Sequence, residues 1–172
     1  MKKLIFVLST LFLFLVAQMA SAQNNKDIVD VAVSVDDFST LVAAVKAADL
    51  VGALKGDGPF TVFAPTNDAF AKIDSKTLNS LLEPANKEKL SAILTYHVVS
   101  GKLAAADVVN ALKKGGGKAE VTTLQGSKLK VIKKDGKIWL KDQNGNYSQI
   151  VKTDVMAKNG VIHVISDVVM PK

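Results

Sequence analysis

Cysteine is absent from the sequence, which excludes a disulfide framework, a thiolate zinc site and a lipid-modified N-terminal cysteine. Arginine is absent as well, so all 22 basic residues are lysines and the bidentate fork that reads phosphates and guanine edges is missing. Those lysines are scattered among 16 acidic residues along the chain, a distribution that argues against specific nucleic-acid recognition and leaves room for weak attraction to anionic surfaces. Only two histidines occur, His97 and His163, and neither sits in a closely spaced ligand motif, so no metal and no cofactor are expected. No serine stands in a nucleophile-elbow context and no thiol can replace it. The chain is therefore expected not to be an enzyme. Only a constellation assembled by folding would change that.

Long apolar runs are also scarce, with one exception at the start. Met1, Lys2 and Lys3 precede an apolar stretch from Leu4 to Val16, and the segment ends in Ala20-Ser21-Ala22. A short positive region, an apolar run too short for a comfortable bilayer span and small residues before a cleavage point make a signal peptide over 1–22, cut before Gln23. The mature chain, 23–172, would then be exported, with no transmembrane segment. It has the usual length of one domain with one core, and 48% of all residues are hydrophobic. Two of the six net positive charges are Lys2 and Lys3.

What is present divides by period. In the first half apolar residues recur at helical spacing: a short helix over Asp27–Val33, then Phe38, Leu41, Val42 and Val45 behind the capping candidates Asp36 and Asp37. A turn at Asp57-Gly58-Pro59 leads into a buried strand over Phe60–Ala64, closed by Pro65. Asp74 or Ser75 can cap a helix with Leu78, Leu81 and Leu82, and Asn86 can cap one with Leu90, Ile93 and Leu94. Tyr96–Val99 reads as a short strand, and Asp107–Lys114 as an amphipathic helix ending at Gly115-Gly116-Gly117. After Lys118 the period becomes two. Strands are predicted at Val121–Leu124, Leu129–Ile132, Ile138–Leu140, Ile150–Val155 and Val161–Ile165, separated by Gly126, Asp135-Gly136, Asn144-Gly145 and Asn159-Gly160. Helices followed by hairpins predict an α+β domain, with helices packed on a mostly antiparallel sheet wedge.

Three blocks then carry a resemblance: FTVFAPTNDAF at Phe60–Phe70, Tyr96-His97 after a leucine-bearing helix, and NGVIHVISDVVMP at Asn159–Pro171. In order and spacing they resemble the signature blocks of fasciclin-type domains, and the segments around Asp37–Leu41, Gly56–Pro59 and Thr122–Gly126 fit as well. The likeness covers essentially the whole expected mature chain. Ser166, followed by Asp167, stands where the family usually has an aspartate. The resemblance implies a secreted or surface module that mediates adhesion or matrix binding. In animal matrix members of the family, adhesion is attributed to the Tyr-His block and to an Asp-Ile element, which correspond to Tyr96 and His97 and to Asp154 and Val155 in this chain.

Elementary chemistry assigns several of these residues a structural role. Thr66, Asn67 and Asp68 form a strand-to-helix corner in which Thr66 caps and Asp68 complements the helix dipole, with Phe63 and Phe70 buried on opposite sides. Asn159, Gly160 and His163 belong to a turn and a buried strand, where a neutral imidazole is a hydrogen-bonded core group. His97 is expected to hydrogen-bond near the Thr66–Asp68 corner. Trp139 is either core or a contact residue on its hairpin, and Lys128, Lys130, Lys133, Lys134, Lys137 and Lys141 decorate the same hairpins, as a solvated edge or as a basic patch for polyanionic glycans or anionic surfaces. The partner would be a cell-surface protein or a polysaccharide. Two other readings stand beside adhesion: small-ligand binding in an apolar pocket near Tyr96 and Trp139, and a structural envelope component with weak self-association. If Tyr96 is buried, the Tyr-His block specifies fold and the adhesion surface lies on the lysine-bearing hairpins.

Overall fold

A computed structural model describes residues 25–172; the expected signal peptide lies outside the described residues. The apolar periodicity of the first half gives α1 (Ile28–Val33), a 3₁₀ turn (Asp36–Phe38), α2 (Ser39–Ala47) and α3 (Val51–Leu54), followed by β1 (Phe60–Pro65). The chain continues through α4 (Asn67–Ala71), α5 (Ser75–Leu82), a 3₁₀ turn (Pro84–Asn86), α6 (Lys87–Tyr96), β2 (Val98–Ser100) and α7 (Ala105–Lys114). The hairpin-rich half supplies β3 (Lys118–Thr122), β4 (Lys128–Lys134), β5 (Lys137–Lys141), β6 (Tyr147–Ala157) and β7 (Gly160–Ile165).

The local chemistry of the helix starts differs from case to case. Asp27 caps α1 by accepting from the Asp30 amide at 2.8 Å, and Asp74 caps α5 by accepting from the Thr77 amide at 3.1 Å. Asp36 and Asp37 lie inside a 3₁₀ turn and cap nothing, and Asn86 donates to the Ser80 carbonyl instead of capping α6. The strand predicted from Tyr96 begins two residues later, because Tyr96 is the last residue of α6 and its backbone completes that helix before the chain extends at Val98.

Seven strands form one sheet in the order β2-β1-β7-β6-β5-β4-β3, antiparallel throughout except for the β1–β7 pair. The two ends approach each other: Val99 bridges to Thr123, and the Leu124 amide donates to the Val98 carbonyl at 2.7 Å. The sheet is therefore nearly barrel-like, and its two sides bury two cores. One, outside β1 and β7, is built by α1, α2, α6 and residues such as Phe38, Leu41, Val62, Phe70 and Ile162. The other fills the curl of the sheet with Phe63, Tyr96, Leu129, Val131, Leu140 and Ile165, closed by Val108 and Leu112 of α7. Alternation along β1 sends Val62 and Phe63 to opposite cores, which is the period-two rule at work. Phe63 and Phe70 do end on opposite sides of the strand-to-helix corner.

Candidate binding site

At the Thr66–Asp68 corner, Thr66 Oγ1 accepts from the Ala69 amide at 3.3 Å and caps α4. Asn67 reaches outward to the helices: its Oδ1 accepts from the Thr40 amide at 3.0 Å and its Nδ2 donates to the Asp36 carbonyl at 2.9 Å. Asp68 lies in the first turn of α4, where its charge suits the helix dipole. Asn159 is a second clamp of the same kind. Its Oδ1 accepts from the Ile28 amide at 3.0 Å, while Nδ2 donates to the carbonyls of Leu54 and Gly56 at 2.8 and 2.9 Å, so one amide group joins α1, the end of α3 and the β6–β7 turn. Gly160 must be glycine for steric reasons: a Cβ there would run into the Phe60 carbonyl oxygen.

Tyr96 and His97 are at 0% and 2% exposure, so neither presents a surface to a partner. Tyr96 packs inside the curl of the sheet and its hydroxyl donates to the Lys128 carbonyl at 3.3 Å. Burial, with the Asp142 carboxylate adding to it, pushes the phenol up to about 12. His97 is not tied to the Thr66–Asp68 corner. Its Nδ1 lies 2.8 Å from the Ile93 carbonyl and its Nε2 lies 3.2 Å from the Val169 amide. These partners fix the neutral tautomer, with Nδ1–H donating and Nε2 accepting, and the ring anchors the C-terminal segment to α6. The reason is positional: as the residue that follows the last turn of α6, His97 turns its ring back onto that turn, where the Ile93 carbonyl is free to accept. Burial pushes its pKa down to about 4.

His163 is equally buried. Its Nε2 lies 2.7 Å from the Leu103 carbonyl, its Nδ1 accepts from the Asp154 amide at 3.3 Å, and its ring sits 5.8 Å from that of Phe63. Asp154 occupies a β-bulge of β6 with φ 57°, and this left-handed backbone turns its carboxylate to accept from the Ala105 amide at 2.8 Å, at the start of α7. Val155 returns to the ladder opposite Ile162 and packs on the outer core. The Asp154-Val155 element thus holds a helix terminus and a strand in place. Among the described residues no cluster of three metal-ligating side chains occurs, and no helix is long and apolar enough to cross a membrane.

The residues left in the open belong to the hairpins. Asp135 and Gly136 both have positive φ, as a two-residue hairpin turn requires, and they set Lys134 opposite Lys137, Ile132 opposite Trp139 and Lys130 opposite Lys141. On the next strands Trp139 faces Gln149, Lys141 faces Tyr147, and Lys130 faces Glu120. Leu129, Val131 and Leu140 point into the core, so all of these paired residues share the outer face. Trp139 is therefore not a core residue. It is half-buried on the outer face, with its indole nitrogen on the buried side and without a hydrogen-bond partner. Lys133 alternates to the other side of β4. Ile132, Tyr147 and Gln149 were not expected at this face. The register that the Asp-Gly turn imposes is the signal that could have placed them there.

A separate apolar cavity of about 100 Å³ lies between the helices and the other end of the sheet, lined by residues that include Ala32, Val45, Leu54, Val62 and Val98, with Lys46 as its charged member. It is not the pocket expected near Tyr96 and Trp139, since neither residue lines it.

This architecture and its clamps define a fasciclin domain, and the Fasciclin domain family model matches residues 36–171, so the chain belongs to that family. It is 51% identical over 156 residues to Protein sll1483 of Synechocystis sp., covering 91% of this chain and 79% of that protein. It is 36% identical to the immunogenic protein MPB70 of Mycobacterium bovis, across 88% of this chain and 74% of the relative. It is 35% identical to the transforming growth factor-beta-induced protein ig-h3 of Sus scrofa, where it spans 84% of this chain but only 19% of the relative. In fold it is similar to a FAS1 domain pair from the insect cell adhesion molecule fasciclin I, with a TM-score of 0.74 at 19% identity, covering 84% of this chain and 50% of that one.

Proposed function

We propose that the chain is an exported, non-catalytic binding module that attaches to cell or matrix surfaces through its exposed sheet and not through the Tyr96-His97 block. The observation that carries this reading is the full burial of Tyr96 and His97 together with the use of both imidazole nitrogens inside the fold. A group whose hydrogen-bonding capacity is consumed internally has nothing left for a partner. The fold likeness to a cell adhesion molecule supports the functional class. The test is binding of the purified 23–172 chain to immobilised cells, extracellular polysaccharides and matrix proteins at low and physiological salt. Saturable binding that survives physiological salt supports the reading; binding to none of them sinks it.

The apolar cavity favours a second reading, as a site for a small apolar group. An engineered apolar cavity of about 150 Å³ stays dry and takes benzene or xenon, which sets the size class. This cavity, at about 100 Å³, suits a ligand no larger than that. Stabilisation of the fold by benzene in a thermal melt supports this reading, and an unchanged midpoint removes it.

A further inference from the structure

The outer face of β3–β6 combines two features that a merely solvated sheet does not need. The first is charge. Lys118, Lys128, Lys130, Lys134, Lys137 and Lys141 share this face with a single acid, Glu120, which pairs with Lys128 at 3.2 Å and Lys130 at 3.7 Å. Asp135, the other nearby carboxylate, sits in the hairpin turn beyond the strands. Among the described residues Lys118, Lys134, Lys137 and Lys141 have no acidic partner. The second feature is an apolar and aromatic strip running through the charges: Ile132 beside Trp139, and Tyr147 beside Lys141, whose ammonium lies 5.1 Å from the Tyr147 ring centre.

The spacing is informative. The register places Lys130 and Lys141 as one cross-strand pair and Lys134 and Lys137 as another, with Ile132 and Trp139 between them. Four residues of strand separate the two lysine pairs by about 13 Å, and adjacent strands lie about 4.8 Å apart. Two cationic pairs flanking an aromatic platform fit an extended chain of rings that carries an acid group at intervals. We propose that this face binds acidic polysaccharide, with a sugar ring on the exposed part of the Trp139 side chain and its anionic groups on the Lys130–Lys141 and Lys134–Lys137 pairs. The inference rests on the surface-binding reading above and supplies the chemistry of its partner.

Nucleic acid is the poorer fit, because bidentate reading of base edges favours arginine and the chain has none. An anionic membrane is also the poorer fit, because the aromatic at the centre of the face is half-buried between lysines and does not project as an apolar wedge. A continuous charged face on antiparallel strands suits a ligand that lies across it.

The test uses the 23–172 chain with heparin and polygalacturonate as probes of sulfate and carboxylate glycans, dextran as the uncharged control, and phosphatidylglycerol vesicles as the membrane arm. Saturable binding to an acidic glycan at physiological salt, absent for dextran, is expected. The Lys134→Gln/Lys137→Gln double variant should weaken it at least tenfold, and Trp139→Ala should weaken it comparably. Because Trp139→Ala could disturb packing, Trp139→Phe is measured beside it: it keeps a smaller ring and should bind more tightly than Trp139→Ala and more weakly than the unaltered chain. Equal loss from Lys87→Gln/Lys89→Gln, on a distant helix, would overturn the assignment by showing charge attraction alone. Binding to vesicles but to neither glycan overturns it in favour of a membrane. Binding to cells but to no acidic glycan overturns it while leaving the surface-binding reading intact, whereas binding to nothing overturns both.

Discussion

The Tyr96–His97 segment and the β4–β5 hairpin meet across one wall of the sheet, since Tyr96 packs against the inward-facing Leu129 and Leu140 while Lys130, Trp139 and Lys141 stand on the reverse of the same strands. Their polar groups have opposite fates. On the inner side the Tyr96 hydroxyl and both His97 nitrogens are bonded to backbone groups. On the outer side four of the six lysines on the face have no acidic partner among the described residues. The first arrangement is how a fold is secured, because a buried polar group costs free energy unless it is paired. The second leaves capacity that a ligand can use.

The largest way to break the inner side is His97→Ala. It strands the Ile93 carbonyl and the Val169 amide and leaves a void, so unfolding in urea should show a loss of about 3 kcal/mol or more. Polysaccharide binding per folded molecule should not change. Titration probes the same ring without mutation. Its folded pKa, about 4, lies below the unfolded value near 6.5, so the unfolded state takes up the proton first. The contribution is complete above about pH 6.5, declines as pH falls from there towards 4, and amounts to about 3 kcal/mol. Denaturation midpoints measured from pH 7.5 to 5 should show the fall, and a His97→Gln variant should show a shallower one.

A smaller effect is expected at the bulge. Asp154→Gly removes the carboxylate that caps α7 while suiting the left-handed backbone, and should cost about 1 kcal/mol in urea with binding retained. If Asp154→Gly leaves stability unchanged and abolishes cell binding, the bulge is a contact and the division between the two sides fails. The smallest stability effect belongs to the outer face. Lys134→Gln/Lys137→Gln should alter stability by no more than about 0.5 kcal/mol while removing most of the binding.

Much of the fold was legible because period and turn chemistry agree. The change from helical to alternating spacing near Lys118, and the Asp135-Gly136 and Asn159-Gly160 turns, place the hairpins where the structure has them. The starts of α2 and α6 were not legible, since Asp36, Asp37 and Asn86 are good caps by type yet find other positions or partners in the folded chain. Local sequence offers the candidate and tertiary contacts choose. The same holds for His97, whose partner Val169 lies 72 residues away. For Asp154, nothing nearby announces a bulge or the distant helix terminus that it caps. Trp139 could have been placed on the outer face by counting back from the Asp-Gly turn, because a two-residue hairpin fixes the pairing and the alternation fixes the side.

The account is tested most directly by lysine acetylation footprinting of the 23–172 chain, free and bound to heparin, read by mass spectrometry. Protection concentrated at Lys130, Lys134, Lys137 and Lys141, with Lys55, Lys72 and Lys87 still reactive, is the predicted result. Uniform protection, or protection confined to lysines outside β3–β6, would contradict the claim that the outer sheet face is where this domain meets its partner.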